Sequence, residues 1–378
     1  MDPIQRSSAT TQLLGDGPLD QGLRTALDDA DAVAGFGTDV GATLTWAVAV
    51  GAARSAEQPF SAEQPFSAEQ SFADEWSLLA AVAARDVAAA RILEPHLDAL
   101  TILGQAGRAG SPADLPSIAA GPDSSWGVFA AEGAGMRLEA QASGSGWRLN
   151  GTKPWCSLAQ HLSHALVTAW AGEERRLFAV ALHDAGVRPR TGPWFARGLS
   201  QVVSAPVDFA SVPAVPVGEP GWYLRRPGFA AGGIGVAACW WGAALPLRDA
   251  LRERAQRDGA DQLSRLHLGR VDTALWAARL ALRSAAREFD GLDAASPGAA
   301  SDAPAFPGTL AGRVRAVVAD AVELTLAEAG RALGPFPLVA DEAHARRVAD
   351  LGLYLRQHHG ERDVARLGAD ISEGRGAW

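Results

Sequence analysis

Between residues 20 and 107 the apolar positions are mostly Ala, Leu and Val, with few β-branched runs, most clearly over 73–103 (ADEWSLLAAVAARDVAAARILEPHLDALTIL). This pattern predicts helix. Pro95 is expected to bend or divide it, because proline lacks the N–H of the helical ladder. From 126 to 217 the pattern changes to short segments punctuated by Gly, Pro and Ser: WGVFAAEG, MRLEAQASG, GWRLNG, HALVTAWAG, RRLFAVALHD and VVSAPVDFASV. Such spacing predicts antiparallel strands. Within it, Asn150-Gly151 is expected to form a two-residue hairpin turn, since both residues accept positive φ. After a Gly/Pro-rich turn at 218–221, Val271, Leu275, Ala278, Leu282 and Ala286 recur at three and four residues and predict one buried helix face. Residues 291–308 read as a small-residue linker, and 309–333 and 343–367 as two further helices. The order is helices, a small β domain, then a helical bundle, an α+β arrangement.

One segment breaks the helical pattern of the first hundred residues. SAEQPF at 55–60 is followed by SAEQPF at 61–66 and SAEQSF at 67–72, and its prolines forbid a continuous helix. Three copies of six residues are too few for a solenoid, so the 55–72 repeat reads as an exposed insertion loop or as a partner-binding segment.

A chain of 378 residues has room for two or three cores. Its 34 basic residues against 43 acidic ones, a net charge of -9, argue against a nucleic-acid-binding surface. The basic residues are Arg throughout, save Lys153. The start of the chain lacks the pattern of a signal peptide, and the most apolar run, 228–247, is too rich in Gly and Ala to predict a membrane span. Cys156 and Cys239 have apolar neighbours and read as reduced, packed thiols. A cytoplasmic protein without membrane or nucleic-acid partners is the expectation. His161 and His164 have H-x-x-H spacing but no third ligand nearby, and read as surface residues, with no metal expected.

The residues at the centre of the β region narrow the class. GWRLNGTKPWCSL at 146–158 resembles the middle-domain signature of the acyl-CoA dehydrogenase family, G-x-x-L-N-G-T-K followed by W-x-[ST]. AAEGAG at 130–135 resembles the family's T-E-P-G-A-G, and RGLSQVVSAPVDF at 197–209 its G-x-R-x-S-x-x-x-x-V-x-F strand pair. RPGFAAGGIG at 226–235 resembles the start of its first bundle helix, and LGRVDTALWAAR at 268–279 a later helix. The resemblance implies a helical N-terminal domain (1–122), a middle antiparallel β-barrel (123–218) and a C-terminal four-helix bundle (219–378), with FAD as cofactor and a homodimer or homotetramer as assembly.

It also implies chemistry. Family members remove an α-proton from an acyl thioester with a carboxylate while the β-hydrogen leaves as hydride to flavin N5, and pass electrons to an acceptor flavoprotein. Trp155 and Ser157 match the Trp and Ser/Thr against the flavin ring; the alternative for Trp155 is core packing. Ala131 and Gly135 fall on the strand and turn that offer backbone to the cofactor, with Ala131 in place of a Thr and Met136 in place of a pyrophosphate-binding Ser. The stretch that grips the adenosine half has no counterpart, and Gly334-Pro335-Phe336-Pro337-Leu338 replaces the family's G-G-x-G-Y turn. Arg226 matches an active-site Arg, or else is a helix-start charge facing solvent. The catalytic-base position falls on His358, and the alternative base position of some members on Arg225; neither is acidic. A neutral imidazole is a competent general base, although His358 and His359 equally suit a helix C-terminus, and Glu361 or Asp363 could supply a carboxylate from a shifted register. The leading expectation is an acyl-thioester dehydrogenase. The alternatives are a monooxygenase of the same fold using reduced flavin and oxygen, and a non-catalytic binding or scaffold protein.

Overall fold

The computed structural model describes Leu14 and residues 21–56, 71–144, 146–295 and 306–375. Nearly all of the 55–72 repeat and residues 296–305 of the expected linker lie outside them. The chain divides into two compact units, one from Val33–Ser67 and Arg91–Phe229, the other from Met1–Ala32, Ala68–Ala90 and Ala230–Trp378.

The first unit is built on strands β1 (Trp126–Phe129), β2 (Leu138–Ser143), β3 (Gly146–Ser157), β4 (His164–Ala171), β5 (Glu174–Ala181), β6 (Val187–Pro189) and β7 (Ser204–Val217). Antiparallel pairings run β2–β3–β7–β5–β4, and a single parallel pair, Glu139↔Trp170, returns from β4 to β2. The sheet is not antiparallel throughout, as the segment spacing suggests. β1 lies beside β4 in parallel register, Trp126 opposite His164. Two strands intervene between β1 and β4 along the chain, and so long a connection permits parallel pairing.

Asn150 and Gly151 do not form the hairpin turn. β2 and β3 pair from Ser143↔Gly146 to Leu138↔Gly151, which puts the turn before Gly146 and both residues inside β3. The β3–β7 register shifts between Leu149 and Asn150 because β7 carries an extra residue there, Ser211, with φ +58° and its amide donating to Asn150 Oδ1 at 2.8 Å. Gly151 has φ +117°, and a Cβ there would collide with the Arg137 carbonyl oxygen. Gly151 uses its positive φ inside the strand, where β3 runs close to the Arg137 carbonyl, and not in a turn.

Helix α4 (Val87–Arg108) closes one end of this unit, packing Ala99, Ile102, Leu103 and Ala106 with Trp126, Leu166, Leu177 and Val217. His96 on α4 is buried, and its Nδ1 accepts the Trp126 amide at 3.3 Å. Helix α2 (Val40–Ala56) approaches His96 through Gly51, where any Cβ would strike the imidazole. His164 is also buried, contrary to its surface expectation. Its ring nitrogens meet Ser163 Oγ at 2.9 Å and the Ile118 carbonyl at 3.0 Å.

The second unit holds α1 (Gln21–Ala32), α3 (Phe72–Arg85), most of α6 (Pro227–Gln256), α7 (Gln262–Ala295), α8 (Phe306–Leu333), α9 (Phe336–Ala340), α10 (Glu342–Tyr354) and α11 (Glu361–Ser372); the short α5 (Trp222–Arg225) belongs to the first unit. The 73–103 helical run divides at Asp86, not at Pro95, which sits inside α4. Asp86 turns extended, its carboxylate accepts the Ala89 amide at 2.9 Å, and Arg346 pairs with it at 2.5 Å. Arg347 donates to the carbonyls of Ala83, Ala84 and Arg85, satisfying the end of α3. The 343–367 run also divides, at a 3₁₀ turn (Leu355–Gln357) and Gly360, whose φ is +56°.

Helix α6 is free of charged residues from 228 to 247, and Ile234, Cys239, Trp240, Trp241, Leu247 and Leu251 are all buried. Gly242 has its place because a Cβ would collide with the Ala80 carbonyl of α3. Among the described residues, Gly228–Gln256 is the helix long and apolar enough to cross a bilayer, with mean hydropathy 1.4, but 72% of that stretch is buried inside the protein, the pattern of a core helix. Cys156 and Cys239 are both buried, and neither forms a disulfide.

Burial lowers the His96 pKa from 6.5 to about 4. The unfolded chain therefore binds a proton that the folded chain refuses. The stabilisation is complete above pH 6.5 and is lost as pH falls toward 4, a change of about 3 kcal/mol. Urea unfolding followed from pH 7 to 4 should show this acid loss, and His96→Gln should remove most of the slope in that window.

Candidate functional site

Trp155 is the residue in the first unit that least resembles its surroundings. It lies in strand β3 yet is 61% exposed, with φ +57°. The cause is a second bulge: Lys153 pairs with Val207 and Cys156 with Ala205, so Pro154 and Trp155 together face the single residue between on β7. A left-handed tryptophan costs of order 1–3 kcal/mol, and bulges of this kind re-aim a side chain out of its strand. The core-packing alternative for Trp155 is excluded by its exposure. Cys156, next to it, points inward, its Sγ 3.3 Å from the Lys153 carbonyl, and burial pushes its thiol pKa up.

Ser157 ends β3 and is nearly buried. Its Oγ accepts from Arg91 Nη2 at 3.1 Å and lies 2.7 Å from Ser204 Oγ. Arg91 also pairs with Glu94 at 3.4 Å.

The loop with Ala131 and Gly135 lies against the same bulge. Gly133 and Met136 form an isolated bridge, and a Cβ on Gly133 would press on the Pro154 ring at 3.1 Å. Ala131 and Gly135 are both exposed, and Gly135 has φ +73°. What ties this loop to β3 is Lys153, whose side chain is 2% exposed. Its Nζ donates to Glu132 Oε1 and to Thr168 Oγ1, each at 2.8 Å, and Arg175 adds a contact to Glu132 at 3.2 Å. Burial lowers the Lys153 pKa, with Glu132 opposing it. Burial works against the Glu132 carboxylate too, but the Lys153 hydrogen bond and the charges of Lys153 and Arg175 hold its pKa below the usual value.

Arg226 is buried and does not face solvent. Its Nη1 donates to Gln105 Oε1 at 2.6 Å, its Nη2 meets Asp98 Oδ1 at 3.3 Å, and it stacks 5.3 Å from the Tyr223 ring. Burial raises the Asp98 pKa against the pull of Arg226. Arg91, Glu94, Asp98 and Gln105 all stand on α4, at spacings of three, four and seven. The structure thus brings Trp155, Ser157, Ala131 and Gly135 to one bulge of the first unit and holds Ser157 and Arg226 from one helix.

His358 belongs to the second unit. It follows the 3₁₀ turn in extended conformation and meets the Trp240 ring edge-on at 6.4 Å. Arg315 lies 4.7 Å over the same indole and donates to the carbonyls of Gly233 and Gln357. Burial, then the Arg315 charge, lowers the His358 pKa, so its imidazole is neutral at pH 7. It is the C-cap of the 3₁₀ turn that continues α10, the helix-end position of the alternative reading. Asp363 accepts the His359 amide at 3.1 Å near the start of α11, which holds its carboxyl ionised. Glu361 is exposed in the same turn. Among the described residues no three metal-ligating side chains come together.

This architecture is shared with flavoproteins of known structure. KijD3, in complex with FMN and dTDP-3-amino-2,3,6-trideoxy-4-keto-3-methyl-D-glucose, matches with TM-score 0.75 at 18% identity over 97% of this chain and 96% of its own. Butyryl-CoA dehydrogenase from Megasphaera elsdenii matches with TM-score 0.74 at 16% identity, over 94% and 100%. Dibenzothiophene monooxygenase (TdsC) from Paenibacillus sp. A11-2 matches with TM-score 0.67 at 15% identity, over 95% and 98%. At these identities the likeness establishes the fold, that of the acyl-CoA dehydrogenases and the enzymes built like them. No protein-family model and no curated protein matches the sequence.

Lys153→Met should lower stability by about 2 kcal/mol, less than the ~3–5 for one partner of a fully buried pair because Glu132 keeps part of its solvent. Adding Glu132→Gln should restore part of the loss. Chemical denaturation of the two variants and the wild type checks both outcomes.

Proposed function

We propose that this protein is a flavin-dependent monooxygenase, which uses reduced flavin and dioxygen to hydroxylate a small, electron-rich organic substrate. The observation that carries this reading is the absence of a carboxylate from both base positions implied by the resemblance: His358 occupies one and Arg225 the other. An acyl-thioester α-proton calls for a strong, desolvated base, whereas oxygenation of an activated ring or heteroatom does not.

The residues of the bulge fit the ring half of a flavin. An exposed, backbone-strained Trp155 offers an indole face, Ser157 a hydroxyl, and the loop through Ala131 and Gly135 an open backbone edge. The adenosine half is less well served, with Met136 in place of a serine and proline at 335 and 337, where amide donors are lost. FAD, the family's cofactor, is therefore proposed to bind through its ring half, and FMN to bind comparably; KijD3 is seen with FMN. When bound, reduced flavin supplies two electrons to dioxygen, so that one oxygen atom enters the product and the other leaves as water. The chain positions the ring through Trp155 and keeps the Ser157 hydroxyl fixed through Arg91.

A second reading, an acyl-thioester dehydrogenase, is favoured by Asp98. Burial makes it more basic than an ordinary aspartate, and it would serve as the missing carboxylate. A flavoprotein would then accept the electrons.

The two readings part in one experiment. With FMN or FAD reduced by a separate reductase, the protein should take up oxygen and place ¹⁸O from ¹⁸O₂ into a panel substrate such as indole, dibenzothiophene or a dTDP-amino sugar. Bleaching of bound flavin by acyl-CoAs without oxygen, with no labelled product from any substrate, would replace the monooxygenase with the dehydrogenase. FMN and FAD should bind with dissociation constants within about threefold, because no adenosine contact adds a hydrogen bond's tenfold.

A further inference from the structure

Two hydroxyls stand 2.7 Å apart two residues along β3 from the exposed Trp155, those of Ser157 and Ser204, and either can donate to the other. Each has one more partner. Arg91 Nη2 donates to Ser157 Oγ at 3.1 Å, and the Val202 carbonyl lies 3.2 Å from Ser204 Oγ as its acceptor. A serine hydroxyl carries one proton and two lone pairs, and a guanidinium only donates. Arg91 therefore fills one lone pair of Ser157 permanently, which leaves two arrangements.

In the first, Ser204 donates to Ser157, and the Ser157 proton is left to point outward as a donor. In the second, Ser157 donates to Ser204, Ser204 donates to the Val202 carbonyl, and the second lone pair of Ser157 faces outward as an acceptor. Turning two O–H bonds converts one into the other. No covalent bond forms or breaks and no net proton moves.

We infer that Ser204 and Arg91 are positioning residues that let Ser157 act alternately as donor and acceptor toward a ligand atom whose own proton comes and goes. Flavin N5 is such an atom: it accepts when the ring is oxidised and carries a hydrogen when the ring is reduced. The inference rests on the flavin reading above and adds to it a device that keeps one serine matched to both redox states. Without Ser204 the outward donor survives, but the outward acceptor loses the place to which its proton turns. Ser204 thus favours the reduced ligand.

The test uses the full-length protein and two conservative variants, Ser204→Ala and Ser204→Thr, with oxidised and dithionite-reduced FMN titrated under anaerobic conditions and the midpoint potential of the bound flavin measured. Ser204→Ala should weaken binding of reduced FMN about tenfold, the worth of one hydrogen bond, and that of oxidised FMN less than about threefold. The ratio of the two affinities then changes about three- to tenfold, a midpoint about 15–30 mV more negative. Ser204→Thr, which keeps the hydroxyl, should match the wild type. Equal weakening of both redox forms by Ser204→Ala, with an unmoved potential, overturns the inference and leaves the flavin reading standing. Failure of the wild type to bind FMN or FAD in either form overturns both.

Discussion

A single ammonium, that of Lys153, holds the β unit in the form that makes a site possible. Lys153 is the one lysine of the chain, and it is put where water cannot reach. A charge in that position must find partners or give up its proton. It finds Glu132 on the Gly-rich loop and Thr168 on β4, and in doing so fastens the loop to the strand that carries Trp155. An arginine would need its planar fork satisfied by five donors' worth of acceptors, whereas an ammonium fits a pocket with two. The one position where this chain uses Lys in place of Arg is thus one where the two shapes differ in fit.

Two left-handed residues of β3, Gly151 and Trp155, serve opposite purposes. At Gly151 the backbone turns left-handed without cost, because no Cβ meets the Arg137 carbonyl. At Trp155 it turns left-handed at a cost, and an aromatic ring that would ordinarily be buried stays outside. Pro154 stiffens the second bulge on one side and the loop at Gly133 presses on it from the other. The strain is maintained by neighbours that leave the strand no easier path.

Much of this was legible in the order of residues. All six expected strand segments contain strands. Two kinds of information were not legible. Asn150-Gly151 announces a positive φ, but whether that serves a turn or a strand interior depends on the partner strands, which the local pattern does not carry. Likewise, Asp86 ends α3 because Arg346 and Arg347, some 260 residues later, stabilise an extended residue there, whereas Pro95 is absorbed into α4. The burial of Arg226 and His164 was equally hidden, since a charged or polar residue betrays its environment only through partners distant in sequence. One signal was present and unused: Arg91, Glu94, Asp98 and Gln105 form a polar line along an otherwise apolar helix, and that line marks the face that meets Ser157 and Arg226.

That polar line makes α4 a ruler. Arg91 and Asp98 are two turns apart on a rod that rises 1.5 Å per residue, so their anchoring points are set about 10 Å apart by the helix alone. The distance between the serine and the arginine they hold is thereby fixed by residue number, not by any loop. A gain or loss of one residue between positions 91 and 98 would swing one of the two grips by about 100° around the axis. Loops nearby are free to change length over evolution; this stretch of α4 can change its residues but not their count.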